Sequence, residues 1–149
     1  MKIKNVAISA CLTGEKCRYD GADNYNEGLL SSLQHCKLIP FCPEEHAFGT
    51  PRPTMDLIKK DHTIRALSNE SGEDLTQPIE KYAKNFFDKH KEIDLLIGKE
   101  RSPSCGVSSA RLYNESKELL SSDESGLMIK EAKRRHIKAV DSEDFKGEM

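Results

Sequence analysis

The chain reads as an α/β protein: a single-domain, open, mostly parallel sheet of Rossmann-like type. Helices are expected on both faces, with a site at the carboxyl ends of the strands. Three observations predict this. Short apolar, β-branched runs alternate with amphipathic helical segments, the pattern of βαβ units. Polar loops rich in turn formers separate them. Three of the five cysteines, Cys11, Cys42 and Cys105, each sit just past an apolar run. The carboxyl ends of parallel strands share one edge, so residues distant in sequence meet there. Three thiolates at one point ask for a soft metal or an iron–sulfur cluster.

Each element can be justified in order. Residues 4–10 predict a central strand, β-branched at Val6 and Ile8. Residues 13–26 predict a polar loop turned by Gly14 and Asp20-Gly21. Residues 28–35 predict a short helix and 36–41 a second strand. Residues 43–53 hold three prolines and a glycine, which predicts an irregular loop. Residues 55–67 alternate too weakly for an assignment. Residues 73–91 predict the clearest helix, with Ile79, Ala83, Phe86 and His90 on one face. Thr76 is its expected N-cap, and Pro78 falls in the first turn, where a missing N–H costs nothing. Residues 93–98 predict a third strand. Residues 123–136 predict a helix capped by Ser122 or Asp123, with Leu127, Met128 and Ala132 inward. Residues 137–140 predict a last strand and 141–149 a polar tail. The order implies right-handed crossovers, and 1–149 reads as one domain.

Composition narrows the function. The chain has 149 residues, 36% hydrophobic and 32% charged, which suits one polar globular unit rather than disorder. A net charge of -2 argues against a dedicated nucleic-acid binder. No apolar run approaches the roughly 20 residues that span a bilayer. The first apolar run is too short for a secretory segment, so a cytoplasmic location is expected. A reducing compartment disfavours disulfides, and an odd cysteine count points to metal binding or catalysis.

The chemistry-bearing residues fall in loops. Ser104-Cys105-Gly106 follows Pro103, which blocks regular pairing, and Gly106 permits a close approach. A buried structural cysteine is the bland alternative. Glu44, two residues after Cys42, is a candidate general acid or base, although Glu44 and Glu45 also read as a solvated face. Arg18 suits a carbonyl or phosphate. Arg52, between Pro51 and Pro53, suits either a substrate anchor or a surface salt bridge. Cys17 reads equally as a fourth ligand or a bystander, and His46 with Cys42 as part of a zinc site. Cys36 precedes the second strand, at the opposite end. Lys130, Lys133, Arg134 and Arg135 read as a solvated helix face.

Several of these stretches occur together in a known order. They are Ser9-Ala10-Cys11-Leu12 with Gly14, Arg18-Tyr19-Asp20-Gly21, Cys42-Pro43-Glu44, Gly49-Thr50-Pro51-Arg52-Pro53 and Ser102-Pro103-Ser104-Cys105-Gly106. In this combination the chain resembles the thiouracil desulfidase family, over nearly its whole length. The resemblance implies a [4Fe-4S] cluster held by Cys11, Cys42 and Cys105, with one iron open to the substrate sulfur. It implies Glu44 and Ser102 as catalytic residues. Ser9, Arg18, Arg52 and Ser104 are expected to bind substrate. The implied reaction is non-redox: a 2-thiouracil or 4-thiouracil type of pyrimidine gives uracil and sulfide. Two alternatives stand beside it. One is a desulfidase of thiouridine in nucleotides or tRNA. The other is a non-catalytic zinc- or cluster-binding module.

Overall fold

A computed structural model describes residues 3–18, 20–50 and 52–145. Tyr19 and Pro51, both within the motifs above, and 146–149 of the tail lie outside the described residues.

The parallel sheet is present. Strands β1 (Asn5–Ser9), β2 (Lys37–Phe41), β5 (Leu95–Gly98) and β8 (Ala139–Asp141) lie in the order β2-β1-β5-β8, all parallel. Pro40 is tolerated in β2 because β2 is an edge strand. Helices cover both faces, as expected. On one side Ala7 and Leu96 pack against Phe86, Phe87, Met128 and Ile129, from α3 (Thr76–Lys89) and α4 (Leu127–Arg134). On the other, Val6, Ile8, Leu95 and Ile97 pack against Leu29 and Leu33, which α1 (Glu27–Ser32) brings over the sheet. Asn26 caps α1, its side-chain oxygen accepting from the Leu29 N–H at 3.1 Å.

A second sheet is an addition to the expected fold. Its order is β4 (Thr63–Ser68), β3 (Met55–Lys60), β6 (Ala110–Tyr113), β7 (Leu119–Glu124). The unassigned residues 55–67 form an antiparallel hairpin of β3 (Met55–Lys60) and β4 (Thr63–Ser68). Asp61 at its turn takes φ 57, a region Asp tolerates. Alternation is weak in β3 because consecutive Leu57 and Ile58 are both buried. Strands β6 (Ala110–Tyr113) and β7 (Leu119–Glu124) complete the sheet. Ser122 and Asp123 therefore lie in β7 and do not cap α4, whose N-cap is Gly126. The edge position of β7 explains its polar sequence. Leu57, Ala66 and Leu112 of this sheet meet Ile79 of α3 and Leu127 of α4, joining the two layers.

Two further expectations change. The irregular loop is in part a helix, α2 (Pro43–Phe48), for Pro43 sits in its first turn and leaves the ladder intact. Thr76 is inside α3 and does not cap it; the cap position is Leu75. The Thr76 hydroxyl instead accepts from the Ala66 N–H at 2.8 Å, binding α3 to β4. No described helix is long and apolar enough to cross a membrane.

Gly98 closes β5 where the Cys105 loop returns over it. A Cβ there would lie 1.9 Å from the Cys105 carbonyl oxygen. Gly98→Ala is expected to cost about 3 kcal/mol, lowering Tm by roughly 10 °C in a thermal melt. Gly28→Ala, on an open part of α1, should instead leave Tm unchanged or raise it by roughly 2 °C.

Candidate active site

Three segments leave the carboxyl edge of the parallel sheet and enclose one cleft of about 450 Å³. β1 runs into a 3-10 turn, Ala10–Thr13, which carries Cys11 and ends at Gly14 in the left-handed region (φ 99). β2 runs into α2, with Cys42 at the N-cap and Glu44 in the first turn. β5 runs into the loop of Ser102, Ser104 and Cys105. All of these side chains line the cleft, as do Cys17, Ser9, Arg18 and Arg52.

The last loop is heavily braced. The Ser102 hydroxyl accepts from the backbone N–H groups of Ser104 (3.3 Å) and Cys105 (3.0 Å). The Leu127 and Met128 N–H groups, at the start of α4, donate to the Pro103 and Ser104 carbonyls, both at 3.0 Å. Helix donors that would otherwise lack partners thereby fix the loop. Beyond Cys105, buried Asp141 accepts from the Val107 N–H (2.8 Å), the Ser108 N–H (3.0 Å) and the Ser109 hydroxyl (2.8 Å).

The thiols are unequal. Cys17 hydrogen-bonds to both Cys11 and Cys42, and its own pKa is pushed up by serving both. This bond, against the opposing effect of burial, draws Cys11 down to about 7, helped by Asn24 and Lys99. Cys42 is drawn down too, by Cys17 first and then by the Glu45 N–H and Arg52. Burial pushes Cys105 up. The Cys42 N–H donates to the Tyr82 hydroxyl at 3.3 Å, and burial lifts Tyr82 to about 12, so that hydroxyl stays neutral.

Glu44 faces the Cys105 loop across the cleft. Its Oε2 accepts from the Ser104 hydroxyl at 2.6 Å, and its Oε1 lies 3.7 Å from Arg52 Nε. Ser104 has one hydroxyl proton, given to Glu44, so in the 3.2 Å pair of Ser102 and Ser104 the donor is Ser102. The result is a directed chain, Ser102 to Ser104 to Glu44. Arg52 is nearly buried and braces the frame. It donates to the Gly49 carbonyl (3.0 Å), the Thr50 hydroxyl (3.0 Å) and the Cys17 carbonyl (2.8 Å). Ser9 Oγ accepts from the Lys99 N–H at 2.9 Å and also reaches the Cys105 thiol. Arg18 donates to the Asn24 side-chain oxygen at 3.4 Å and pairs with Asp20 at 3.5 Å.

The zinc candidate His46 lies outside the cleft, and so do Cys36 and the basic stretch, neither of which was expected there. His46 packs at a tilt against Tyr82, ring centroids 4.9 Å apart, and does not line the cleft. Cys36 donates to the Ile3 carbonyl (3.5 Å) before β2 begins. The basic stretch of α4 is engaged in pairing: Arg134 and Arg135 with Glu131, Arg135 also with Asp88, and Lys130 with Glu124. Asn24 and Tyr82 reach the cysteines without having been singled out. Asn24 reads in sequence only as a turn former and Tyr82 only as part of a helix face. Among the described residues no three His, Cys, Asp or Glu side chains converge as one metal ion requires. The cysteines stand around a volume.

A family model described as 2-thiouracil desulfurase matches residues 6–144. The chain belongs to the 2-thiouracil desulfurase family. The chain is also similar to a Bacillus subtilis (strain 168) protein, the uncharacterized protein YbbK. It is 30% identical over 151 residues, covering 94% of this chain and 99% of the relative. The solved structure of a [4Fe-4S]-dependent thiouracil desulfidase, TudS, is similar with a TM-score of 0.75 at 27% identity, covering 95% of this chain and 93% of that chain. The family match, over residues 6–144, takes in the strands of both sheets and the residues that line the cleft.

Glu100 lines the same cleft. Burial raises its pKa, but bonds from Lys99 (2.8 Å) and the Ser142 hydroxyl outweigh this and hold it at about 2. A depressed carboxyl stabilises the fold fully above its unfolded pKa and loses that contribution as pH falls through the folded value. Glu100→Gln should thus be less stable than the parent by on the order of 2 kcal/mol at pH 7. Urea unfolding across pH should show that gap closing between about pH 4.5 and 2.

Proposed function

We propose that this chain is a [4Fe-4S]-dependent desulfidase that removes sulfur from a thiolated pyrimidine without net redox change. The substrate is of the 2-thiouracil or 4-thiouracil type, and the products are the oxygen analogue, uracil, and hydrogen sulfide. The observation that carries this is the shared cleft, in which Cys11, Cys42 and Cys105 face the Glu44–Ser104 pair. Cysteines spread around a cavity suit a cluster better than one ion, and thiolates are the donors a cluster needs. Cys11, Cys42 and Cys105 would hold it. Held by these three residues, such a cluster would leave one iron without a protein ligand and would supply a soft Lewis acid suited to a thiocarbonyl sulfur.

The chain's own groups supply the rest. Glu44 acts as general base on the water that attacks the thiocarbonyl carbon. The Ser104 hydroxyl fixes one carboxylate oxygen and leaves the other to take the proton. Ser102 orients Ser104 and, through its two backbone bonds, the loop itself. Arg52 holds α2 against the Cys17 segment and so keeps Glu44 in place. The water oxygen ends on carbon, and its two protons leave with the sulfur. Ser9 and Arg18, on the wall of the cleft, bound the substrate space.

A second reading concerns the size of the substrate. Lys99, Arg18 and Arg101 line the cleft, so a phosphate-bearing thiouridine nucleotide is the alternative to the free base. Assay of thiouracils, thiouridine monophosphate and thiolated tRNA side by side separates these. His46 does not line the cleft, so the zinc site it would form with Cys42 is disfavoured.

Anaerobic reconstitution should give about four irons and four sulfides per chain. Cys11→Ala, Cys42→Ala and Cys105→Ala should each lose them. Glu44→Gln should keep the cluster and lose turnover by roughly 10²–10⁴-fold. Ser104→Ala should cost roughly 10- to 150-fold, the worth of one hydrogen bond to a charged group. Zinc in place of iron, or a fully active Glu44→Gln enzyme, overturns the reading.

A further inference from the structure

Resting on that reading, we propose that Asn24 is a positioning residue that tunes the cluster through an N–H···S hydrogen bond to Cys11. Its side-chain Nδ2 donates to the Cys11 sulfur at 3.3 Å. Two other bonds fix this geometry. The Asn24 backbone N–H donates to the Cys11 carbonyl at 2.9 Å, so the residue is held to Cys11 by both main chain and side chain. Arg18 donates to Asn24 Oδ1 at 3.4 Å. A guanidinium has no acceptor, so it must face the amide oxygen, and the amide nitrogen is thereby turned to the sulfur. Arg18 is in turn held by Asp20 at 3.5 Å and by its own N–H to the Ala22 carbonyl at 3.1 Å. The described residues of this turn, Arg18 and 20–24, thus have a task beyond reversing the chain. They deliver one donor to one thiolate.

Hydrogen bonds to the sulfurs of a cluster are among the groups that set its reduction potential. A donor stabilises the more negative, reduced state and so raises the potential. It also withdraws charge from the thiolate, which leaves the metal a stronger Lewis acid. Partners of this kind around a metal ligand tune affinity as well as electronics.

The test is a redox titration of reconstituted protein, followed by electron paramagnetic resonance, on wild type, Asn24→Leu and Asn24→Ala. Leucine is close to asparagine in size and has no donor. The expected result is full iron and sulfide content in at least one variant, with a midpoint potential more negative than wild type. The visible band should also bleach faster in air. A cluster with unchanged potential in a variant overturns the role of Asn24 and leaves the desulfidase reading intact. Loss of the cluster in both variants overturns tuning in favour of a purely structural bond. A wild-type chain that binds no iron overturns the desulfidase reading and this inference with it.

Discussion

The register of β1 between its two neighbours is the constraint on which the site depends. Ser9 lies beside Phe41, and Ile8 beside Ile97, in one parallel ladder. These pairings bring the ends of three strands level. The residues that follow, Cys11, Cys42 and the Ser102–Cys105 loop, then emerge at one edge although they span most of the chain. Register here is firmly set, because β1 is buried on both faces. Val6 and Ile8 fill one core and Ala7 the other. A slip of one residue would exchange the faces and drive Ala7 into the space of larger side chains. The same hydrophobic packing that stabilises the sheet therefore aligns the thiols.

Alignment of strands alone does not aim a side chain. The loop after β5 is held from three sides: from below by Gly98, from the side by the α4 N-terminus, and from beyond by Asp141. Each hold uses a group that would otherwise be costly. The α4 N–H groups would lack partners, and the Asp141 carboxylate would be a buried charge. Burial gives the loop its rigidity, and rigidity keeps Ser104 within 2.6 Å of Glu44. The braced loop and the charged helix turn meet only because β1 separates β2 from β5 by one strand.

Much of this was legible in the sequence, for identifiable reasons. The parallel strands announced themselves because strands buried on both faces are continuous apolar runs. Helix α3 was visible because its buried positions recur at helical spacing. The second sheet was not visible. Polar β7 lies at an edge, and β3 buries consecutive residues, so neither shows a period of two. Helix α2 was hidden because prolines flank it, and the one inside it sits where proline does no harm. The clustering of Cys11, Cys42 and Cys105 could be anticipated from strand ends. The contacts of Cys17, Asn24 and Tyr82 could not, since each depends on the path of a loop or on helix packing rather than on local pattern.

The three cysteines and the carboxylate are not separable parts. Glu44 stands two residues after Cys42 on one short helix, and its partner Ser104 stands one residue before Cys105 on one loop. Any movement of α2 that opens the distance between Cys42 and Cys105 also stretches the Glu44–Ser104 bond. Arg52 adds a third tie, since it reaches from the segment after α2 to the Cys17 carbonyl and so to the wall that carries Cys11. The protein places the Glu44 carboxylate and the thiols with the same few bonds. A cleft assembled in this way either presents the whole constellation or none of it, because the bond that holds the carboxylate also ties the Cys42 helix to the Cys105 loop.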